Sequence, residues 1–314
     1  MMIKKIILKI FGRKRIEYLR SKPVLVHGKY RKIIDEIESY SKIIKKNYGN
    51  DAELSMLLTR KFAHILDKGL HRKDVRAGHS NTIATELKKH LEIIENINPE
   101  DSNDQTILWA KEKLNIYNQL QETGKIDELK GEPLKPTIDF DTYFELIKSR
   151  RSNRQFLDKP INDQIIKKLA ETVNWASSSC NKQPIKLFAT NNPELAKQCL
   201  NQCKGGTGFS KNIPCFIAFC ADMRGYYLPN EMYLPAIDVS LGAQNFFVAT
   251  SALQLSATGL SWALKDREEE KRLKSILKIP EHYQIIFNAA LGYAQREYVQ
   301  PLRKPLKNTL QIIR

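Results

Sequence analysis

The sequence predicts an α+β protein in which an all-α extension precedes a domain of mixed helices and strands. Up to about residue 130, apolar side chains recur at helical spacing in successive segments with short polar connections. The segment DELKGEPLKPTIDFD then concentrates glycine and proline, which is typical of a linker. After it, short apolar runs and helical patterns follow one another without strict βαβ alternation. We therefore expect a helical N-terminal extension at residues 1–135 and an α+β domain at residues 136–314.

Four helices are predicted in the extension. The first, YRKIIDEIESYSKIIKKNYG, ends at Gly49, and the second begins near Asp51 and continues through LLTRKFAHILDKGL. The third covers NTIATELKKHLEIIENI, with Asn81 as its N-cap. The fourth covers QTILWAKEKLNIYNQLQETG.

The second domain begins with a short helix in TYFELIKS and an amphipathic helix in NDQIIKKLAETVNWAS, which Asn162 can cap. IKLFAT and CFIAFCA are typical of short buried strands, and NPELAKQCLNQC has the Asn-Pro start of a helix. One long helix is predicted over residues 236–258, ending at Gly259, and Asp238 within its apolar run argues against a membrane span. A further helix starts near Asp266, and YQIIFNAALGYA supplies the last strand.

The chain of 314 residues carries a formal net charge of +16, and the excess lies in the first 50 residues and after residue 150. Such a charge favours anionic partners, whether nucleic acid, anionic lipid or phosphorylated small molecules. The first residues, MMIKKIILKIFGRKR, lack the pattern of a signal peptide or a transmembrane helix. They form either a short helix on anionic lipid or a basic helix that packs on its own protein.

The five cysteines all lie in the second half of the chain, are odd in number and include no CxxC pair. This usage favours a reducing compartment and argues against a disulfide framework or a zinc site. We expect a cytoplasmic protein with no bound metal and no nucleic-acid partner. Peripheral contact with the inner face of a membrane through residues 1–15 is the alternative.

Two polar stretches could carry chemistry. In SRRSNRQF, residues 149–156, three guanidinium groups and a hydroxyl can present several donors to one oxyanion, although a solvated basic turn would have the same composition. In WASSSCNKQPIKLFA, residues 175–189, hydroxyls and amides lie between a helix end and a strand. These short side chains can bond the edges of a planar heterocycle, or they can serve as helix caps and turns.

Together the two stretches resemble the nitroreductase family of FMN-dependent NAD(P)H oxidoreductases. That family shows RRSxRxF, then a helix-end PSxxNxQP, then LGY followed by a basic segment; this chain has RRSNRQF, SSSCNKQP and LGYAQREYVQPLRKPL. The apolar stretches NIPCFIAFCAD and AIDVSLGAQNFFVATSALQLSATGLSW are similar to the family's central strand and dimer-forming helix. The resemblance covers residues 142–310 and implies a mixed, mainly antiparallel sheet flanked by helices.

The resemblance also implies a ligand set. FMN would be the cofactor and NAD(P)H the electron donor, and because FMN carries the chemistry, no catalytic side chain is assigned. Arg150, Arg151 and Ser152 would bind the FMN phosphate and ribityl chain, Arg154 would lie near the pyrimidine edge of the flavin, and Arg303 would return to the phosphate. A second set would reach the flavin held mainly by the other subunit of a homodimer with two shared sites: Ser178, Ser179, Asn181 and Gln183.

Several alternatives remain open at the level of sequence. The acceptor is a small molecule such as a nitro compound or a quinone, and similar extensions are associated with surface-polysaccharide metabolism. The same fold could instead carry out dehalogenation or flavin fragmentation, or the basic chain could bind membranes or nucleic acid. Ser177 replaces the family's usual proline and Ile185 its common tryptophan, while Cys180 is either redox-active or a packing thiol.

Overall fold

The structure, a computed structural model, describes most of the chain after residue 47. Asn50–Arg314 forms one compact unit, and few positions of the other unit, Met1–Gly49, are described. The predicted contact of residues 1–15 with a membrane and nearly all of the first predicted helix lie outside the described residues. The described residues are 38, 41–43, 46, 48–126, 134–206, 208–209, 213–262, 265, 267–296 and 298–314.

Three helices of the predicted extension pack around their own apolar core. They are α1 (Ala52–Leu70), α2 (Asn81–Ile97) and α3 (Gln105–Thr123). Asp51 caps α1 by accepting a hydrogen bond from the Leu54 amide at 2.8 Å, as expected for an acidic side chain at a helix N-terminus. Their shared core contains Phe62, Ala63, Leu66, Leu70, Ala84, Leu87, Leu91, Ile94, Ile107, Ala110, Tyr117 and Leu120.

The predicted N-cap of α2 is wrong by one residue. Asn81 is the first residue of the helix, and Ser80 precedes it in the left-handed region at φ 63° without a capping side-chain bond. The Asn81 side-chain oxygen instead accepts a hydrogen bond from the Tyr117 hydroxyl of α3. The amide therefore joins two helices, a tertiary role that the local sequence pattern does not show.

Four strands form one wholly antiparallel sheet in the order β1-β2-β4-β3. All eight residues of β2 are buried, so its continuous apolar run is explained by cover on both faces. The α+β prediction is confirmed, whereas the boundary at residue 135 stays a prediction. The strands are β1 (Ile185–Thr190), β2 (Cys215–Asp222), β3 (Ser256–Leu260) and β4 (Tyr283–Gly292).

Five further helices surround the sheet in the described residues, and their predicted N-caps hold. Asn162 accepts from the Ile165 amide at 2.9 Å, and Asn192 accepts from the Glu194 amide at 3.0 Å. These side chains satisfy backbone donors that have no partner inside the helix. The helices are α4 (Phe140–Ser149), α5 (Asp163–Asn174), α6 (Pro193–Leu200), α7 (Leu234–Ala252) and α8 (Arg267–Leu277).

The single helix predicted over residues 236–258 is wrong at its C-terminal end. The helix stops at Ala252, Gln254 takes a left-handed φ of 55°, and Ser256 starts β3. Residues 256–260 pair with β4, from Ser256 opposite Gly292 to Leu260 opposite Asn288. Backbone hydrogen bonds to β4 thus make this short apolar segment a strand, although its periodicity fits a helix as well as a strand.

Within the described residues, no helix has both the length and the apolar character needed to cross a bilayer.

Candidate functional site

The arginine turn, residues 150–154, follows directly on the end of α4. The partly buried Arg150 donates to the Ser152 hydroxyl at 3.3 Å. The Arg151 guanidinium donates to backbone carbonyls of its own turn, including that of Arg150 at 2.7 Å. Arg154 and Ser152 are exposed, so the turn offers both anchored and free donors at one surface.

A buried amide fixes this turn to the segment that follows β4. Asn153 is 1% exposed; it donates to the Arg296 carbonyl at 3.0 Å and accepts from the Gln155 amide at 2.9 Å. Backbone bonds continue the junction, with the Leu157 amide donating to the Tyr293 carbonyl at 2.9 Å. The C-terminal segment is therefore held beside the arginine turn by residues distant in sequence.

Two other guanidinium groups lie near enough to Arg150 to affect its pKa. Burial lowers the pKa of Arg150, and repulsion from the nearby charges of Arg303 and Arg151 lowers it further. A guanidinium remains charged in spite of such a shift. Arg303 is exposed and bonds backbone carbonyls of its own segment at 3.3 and 3.4 Å. Like charges thus lie near one another at the arginine turn, an arrangement that suits an anionic ligand.

The serine-amide turn, residues 178–183, is a strained connection between α5 and β1. Cys180, Asn181 and Gln183 all have positive φ, at 52°, 54° and 49°. The Gln183 backbone amide donates to the Ser178 hydroxyl at 3.0 Å, and its side chain donates to the Asn181 side-chain oxygen at 3.0 Å. Left-handed conformations cost free energy for residues other than glycine, and their concentration at one place is typical of functional sites.

Ser179 faces the protein interior. Its amide and hydroxyl both donate to the Asp238 carboxylate, at 3.0 and 2.9 Å. Asp238 is 2% exposed and also accepts from the Tyr226 hydroxyl at 2.6 Å. Burial raises the pKa of Tyr226, and the bond to Asp238 raises it further. Ser179 therefore anchors the turn to α7.

Lys182, which the sequence reasoning passed over, is wholly buried beneath the turn. Its ammonium group donates to the Glu231 carboxylate at 2.7 Å and lies 4.3 Å from the centre of the Tyr226 ring. Its carbonyl accepts from Arg60 Nε of α1 at 3.2 Å. No pattern in the sequence indicates this inward-facing side chain. The left-handed residues on either side of it, Asn181 and Gln183, are seen only in the structure.

The cysteines divide into one exposed thiol and four buried ones. Cys180 is the exposed one in the single chain, and whether it is redox-active or a packing thiol stays a prediction. Cys199 and Cys203 lie in the main core, where burial raises the pKa of each to about 12. Such thiols behave as small apolar groups.

One set of potential metal ligands lies elsewhere in the described residues. Side-chain atoms of Glu53, Asp222 and His282 lie within 4.8 Å of one another. The Arg224 guanidinium bonds both carboxylates, at 2.6 Å to Asp222 and 3.0 Å to Glu53, and Lys186 bonds Glu53 at 2.6 Å. These cations already neutralise the cluster, so its charge does not call for a metal ion.

Both turns fall within one region that matches a known protein family. Residues 147–209 match the family model described as the Nitroreductase family. The sequence of this region is thus similar to the nitroreductase family. An NADPH-dependent oxidoreductase of Staphylococcus haemolyticus is 29% identical over 167 residues, which are 48% of this chain and 64% of that protein. The chain thus spans less than two thirds of the length of this relative.

Two further proteins are similar to this chain. A protein of Archaeoglobus fulgidus, whose name gives NADH dehydrogenase and NAD(P)H nitroreductase as candidate activities, is 29% identical over 49% of this chain and 86% of its own length. A solved nitroreductase-like protein of Streptococcus mutans is 16% identical with a TM-score of 0.49, covering 56% of this chain and 100% of that one.

Proposed function

We propose that this protein is an FMN-dependent oxidoreductase of the nitroreductase family that passes reducing equivalents from NAD(P)H to a small-molecule acceptor. The arginine turn supports the proposal most strongly, because Arg150 and Arg151 are held side by side there and a phosphate monoester would offset their repulsion. When bound, FMN supplies the electron-transfer chemistry. Nitro compounds and quinones are the acceptor classes to test first.

The side chains of the arginine turn have distinct roles in this proposal. Arg150, Arg151 and Arg303 bind the phosphate, and Ser152 binds the phosphate end of the ribityl chain. Arg154, exposed and close to the same junction, provides positive charge at the flavin ring. Charge-assisted bonds of this type are stronger than neutral ones, so the phosphate end contributes much of the affinity.

The serine-amide turn has a different role. Asn181 and Gln183 carry the amides that bond the edge of the flavin, while Ser178 holds the Gln183 backbone. Ser179 holds the turn rather than the flavin, since its hydroxyl donates to Asp238. In this assignment the strained backbone fixes the direction of the two amides before the cofactor binds.

The proposed active protein is a homodimer that shares two sites. The adjacent helices α4 and α7 expose large apolar side chains to solvent in the single chain. An apolar surface of this kind is characteristic of a protein interface. The exposed side chains on these two helices are Phe140, Tyr143, Phe144, Ile237 and Leu241.

The cofactor assignment is tested with FMN and riboflavin, which differ only in the phosphate. The purified or reconstituted protein should be yellow, and NAD(P)H should bleach it without oxygen. Arg150→Met should weaken FMN binding about 10- to 100-fold, as expected for loss of bonds to a charged group. Riboflavin binding should change little. Arg72→Met, which removes an exposed arginine paired with Asp74, is the matched control. Failure of the wild-type protein to bind FMN would overturn the proposal.

A rival reaction on the same cofactor, dehalogenation or flavin fragmentation, predicts the same binding data. Product analysis distinguishes it, because acceptor reduction leaves FMN intact after repeated turnover. Loss of the flavin spectrum that oxygen does not restore would favour fragmentation, and release of halide from a halogenated substrate would favour dehalogenation.

A further inference from the structure

Helix α1 of the predicted extension makes direct contact with the serine-amide turn. Arg60 donates from Nε to the Lys182 carbonyl at 3.2 Å. One residue later, Lys61 donates to the Tyr227 hydroxyl at 2.6 Å and lies 4.2 Å from the centre of that ring. Leu57 packs so closely on Gly225 that a Cβ there would lie 2.8 Å from the leucine side chain. This side of α1 is therefore part of the wall behind the turn.

Lys182 connects this wall to the amides. Its side chain is held inside by Glu231, so the lysine cannot rotate away, and its carbonyl points to Arg60. Asn181 precedes Lys182 and Gln183 follows it, and both of these neighbours have left-handed backbone angles. A bond to the Lys182 carbonyl thus restrains the peptide between the two amide side chains.

The other bonds of the turn come from the domain that contains the sheet. Ser178 bonds Gln183 within the turn, Ser179 bonds Asp238, and Lys182 bonds Glu231. Arg60 alone brings a charged donor from the helical extension to a backbone atom of the turn in the described residues. Without it, a partly buried carbonyl would lose its partner, and the strained backbone would gain freedom to relax.

We propose that Arg60 is a positioning residue of the flavin site, through which the helical extension holds Asn181 and Gln183 in their binding geometry. This inference rests on the proposed function. It gives the extension a role in building the site. Because Arg60 acts on the amides at the ring edge, its loss should weaken FMN and riboflavin binding equally. Loss of Arg150, by contrast, should affect only FMN.

The first measurement compares Arg60→Met with Arg72→Met. Methionine keeps an apolar stem and removes the guanidinium, while Arg72 is an exposed arginine of the same region. We expect dissociation constants for both flavins to rise in Arg60→Met, by no more than the roughly tenfold loss expected for one charge-assisted bond, and to stay unchanged in Arg72→Met. Arg60→Lys, which retains the charge, should lie between Arg60→Met and the wild type.

The second measurement reports on the turn without flavin. Cys180 is exposed within the turn and the other four cysteines are buried. The rate at which a thiol reagent modifies the native protein therefore measures the accessibility of Cys180. The rate of Cys180 modification should rise in Arg60→Met and not in Arg72→Met. Circular dichroism and the thermal midpoint establish that the variants are folded. If Arg60→Met does not fold, Arg60→Lys decides the question.

The outcomes separate the two proposals. If wild-type protein binds FMN but Arg60→Met matches Arg72→Met in flavin affinity and Cys180 rate, the positioning role is wrong and the proposed function stands. If the FMN-to-riboflavin preference collapses in Arg60→Met, the residue acts on the phosphate and the inference is again wrong. If wild-type protein binds no flavin, both proposals fail.

Discussion

Arg224 joins α1 to the end of β2, and replacing it by methionine should lower the free energy of unfolding by about 3–5 kcal/mol. The Arg224 side chain is 1% exposed, and it bonds both oxygens of Asp222, with distances of 2.9 Å from Nε and 2.6 Å from Nη2. The same guanidinium reaches Asp51 at 2.9 Å and Glu53 at 3.0 Å near the start of α1.

The magnitude follows from the unequal burial of the three carboxylates. Asp222 is 2% exposed, so methionine at position 224 would leave a buried charge with no cationic partner in this bidentate pair. Removal of one member of a buried ion pair costs about 3–5 kcal/mol for this reason. The Asp51 and Glu53 side chains are 32% and 44% exposed, and ion pairs with such groups contribute about 1 kcal/mol or less.

Urea unfolding at neutral pH, followed by circular dichroism, measures the loss through the shift of the midpoint. Arg72→Met removes an exposed pair with Asp74 and should cost less than about 1 kcal/mol. The double variant Arg224→Met/Asp222→Leu should recover most of the loss, because both buried charges are then gone. A loss below about 1 kcal/mol in Arg224→Met, or no recovery in the double variant, would refute this reasoning.

Three other predictions concern packing, protonation and thiol exposure. Gly242→Ala should destabilise the protein by about 1–3 kcal/mol in urea unfolding, because its Cβ would lie 2.8 Å from the Val173 side chain, whereas Gly259→Ala meets its nearest neighbour at 3.8 Å and should be tolerated. Burial lowers the pKa of His90 below its ordinary value of 6.5, so the unfolded chain binds the proton more tightly, and stability should fall as the pH drops below 6.5. The extra slope should vanish in His90→Gln, and an unchanged slope would contradict the assignment. Thiol titration of the native protein should modify Cys180 alone, and all five thiols after unfolding, because burial raises the pKa of the other four; rapid reaction of a second native thiol would contradict this.

Local sequence patterns were sufficient to predict most helices in the described residues. Asn162 and Asn192 cap their helices as predicted, because capping depends on a side chain and the amides two or three residues away. The α7–β3 junction was beyond such reasoning. Residues 256–260 became a strand because β4 lies beside them, and β4 is more than 20 residues away in sequence.

The candidate site shows the same division. Its two stretches, residues 149–156 and 175–189, could be selected from the sequence because their residue types and order resemble one family. The residues that hold those stretches in place were not selected. Asn153, Lys182 and Asp238 are buried polar groups whose partners come from distant segments, so their roles depend on contacts that no spacing rule shows.

The sequence by itself therefore determined the α+β class, most helix starts and the two polar turns, since these depend on periodicity and neighbouring residues. Only the tertiary structure decided that Asn153 bonds the segment after β4, that Ser179 faces inward, and that Arg60 of α1 bonds the serine-amide turn. The physical reason is that strand pairing and the partners of buried polar groups are long-range choices. A buried donor or acceptor must find a partner wherever the fold supplies one.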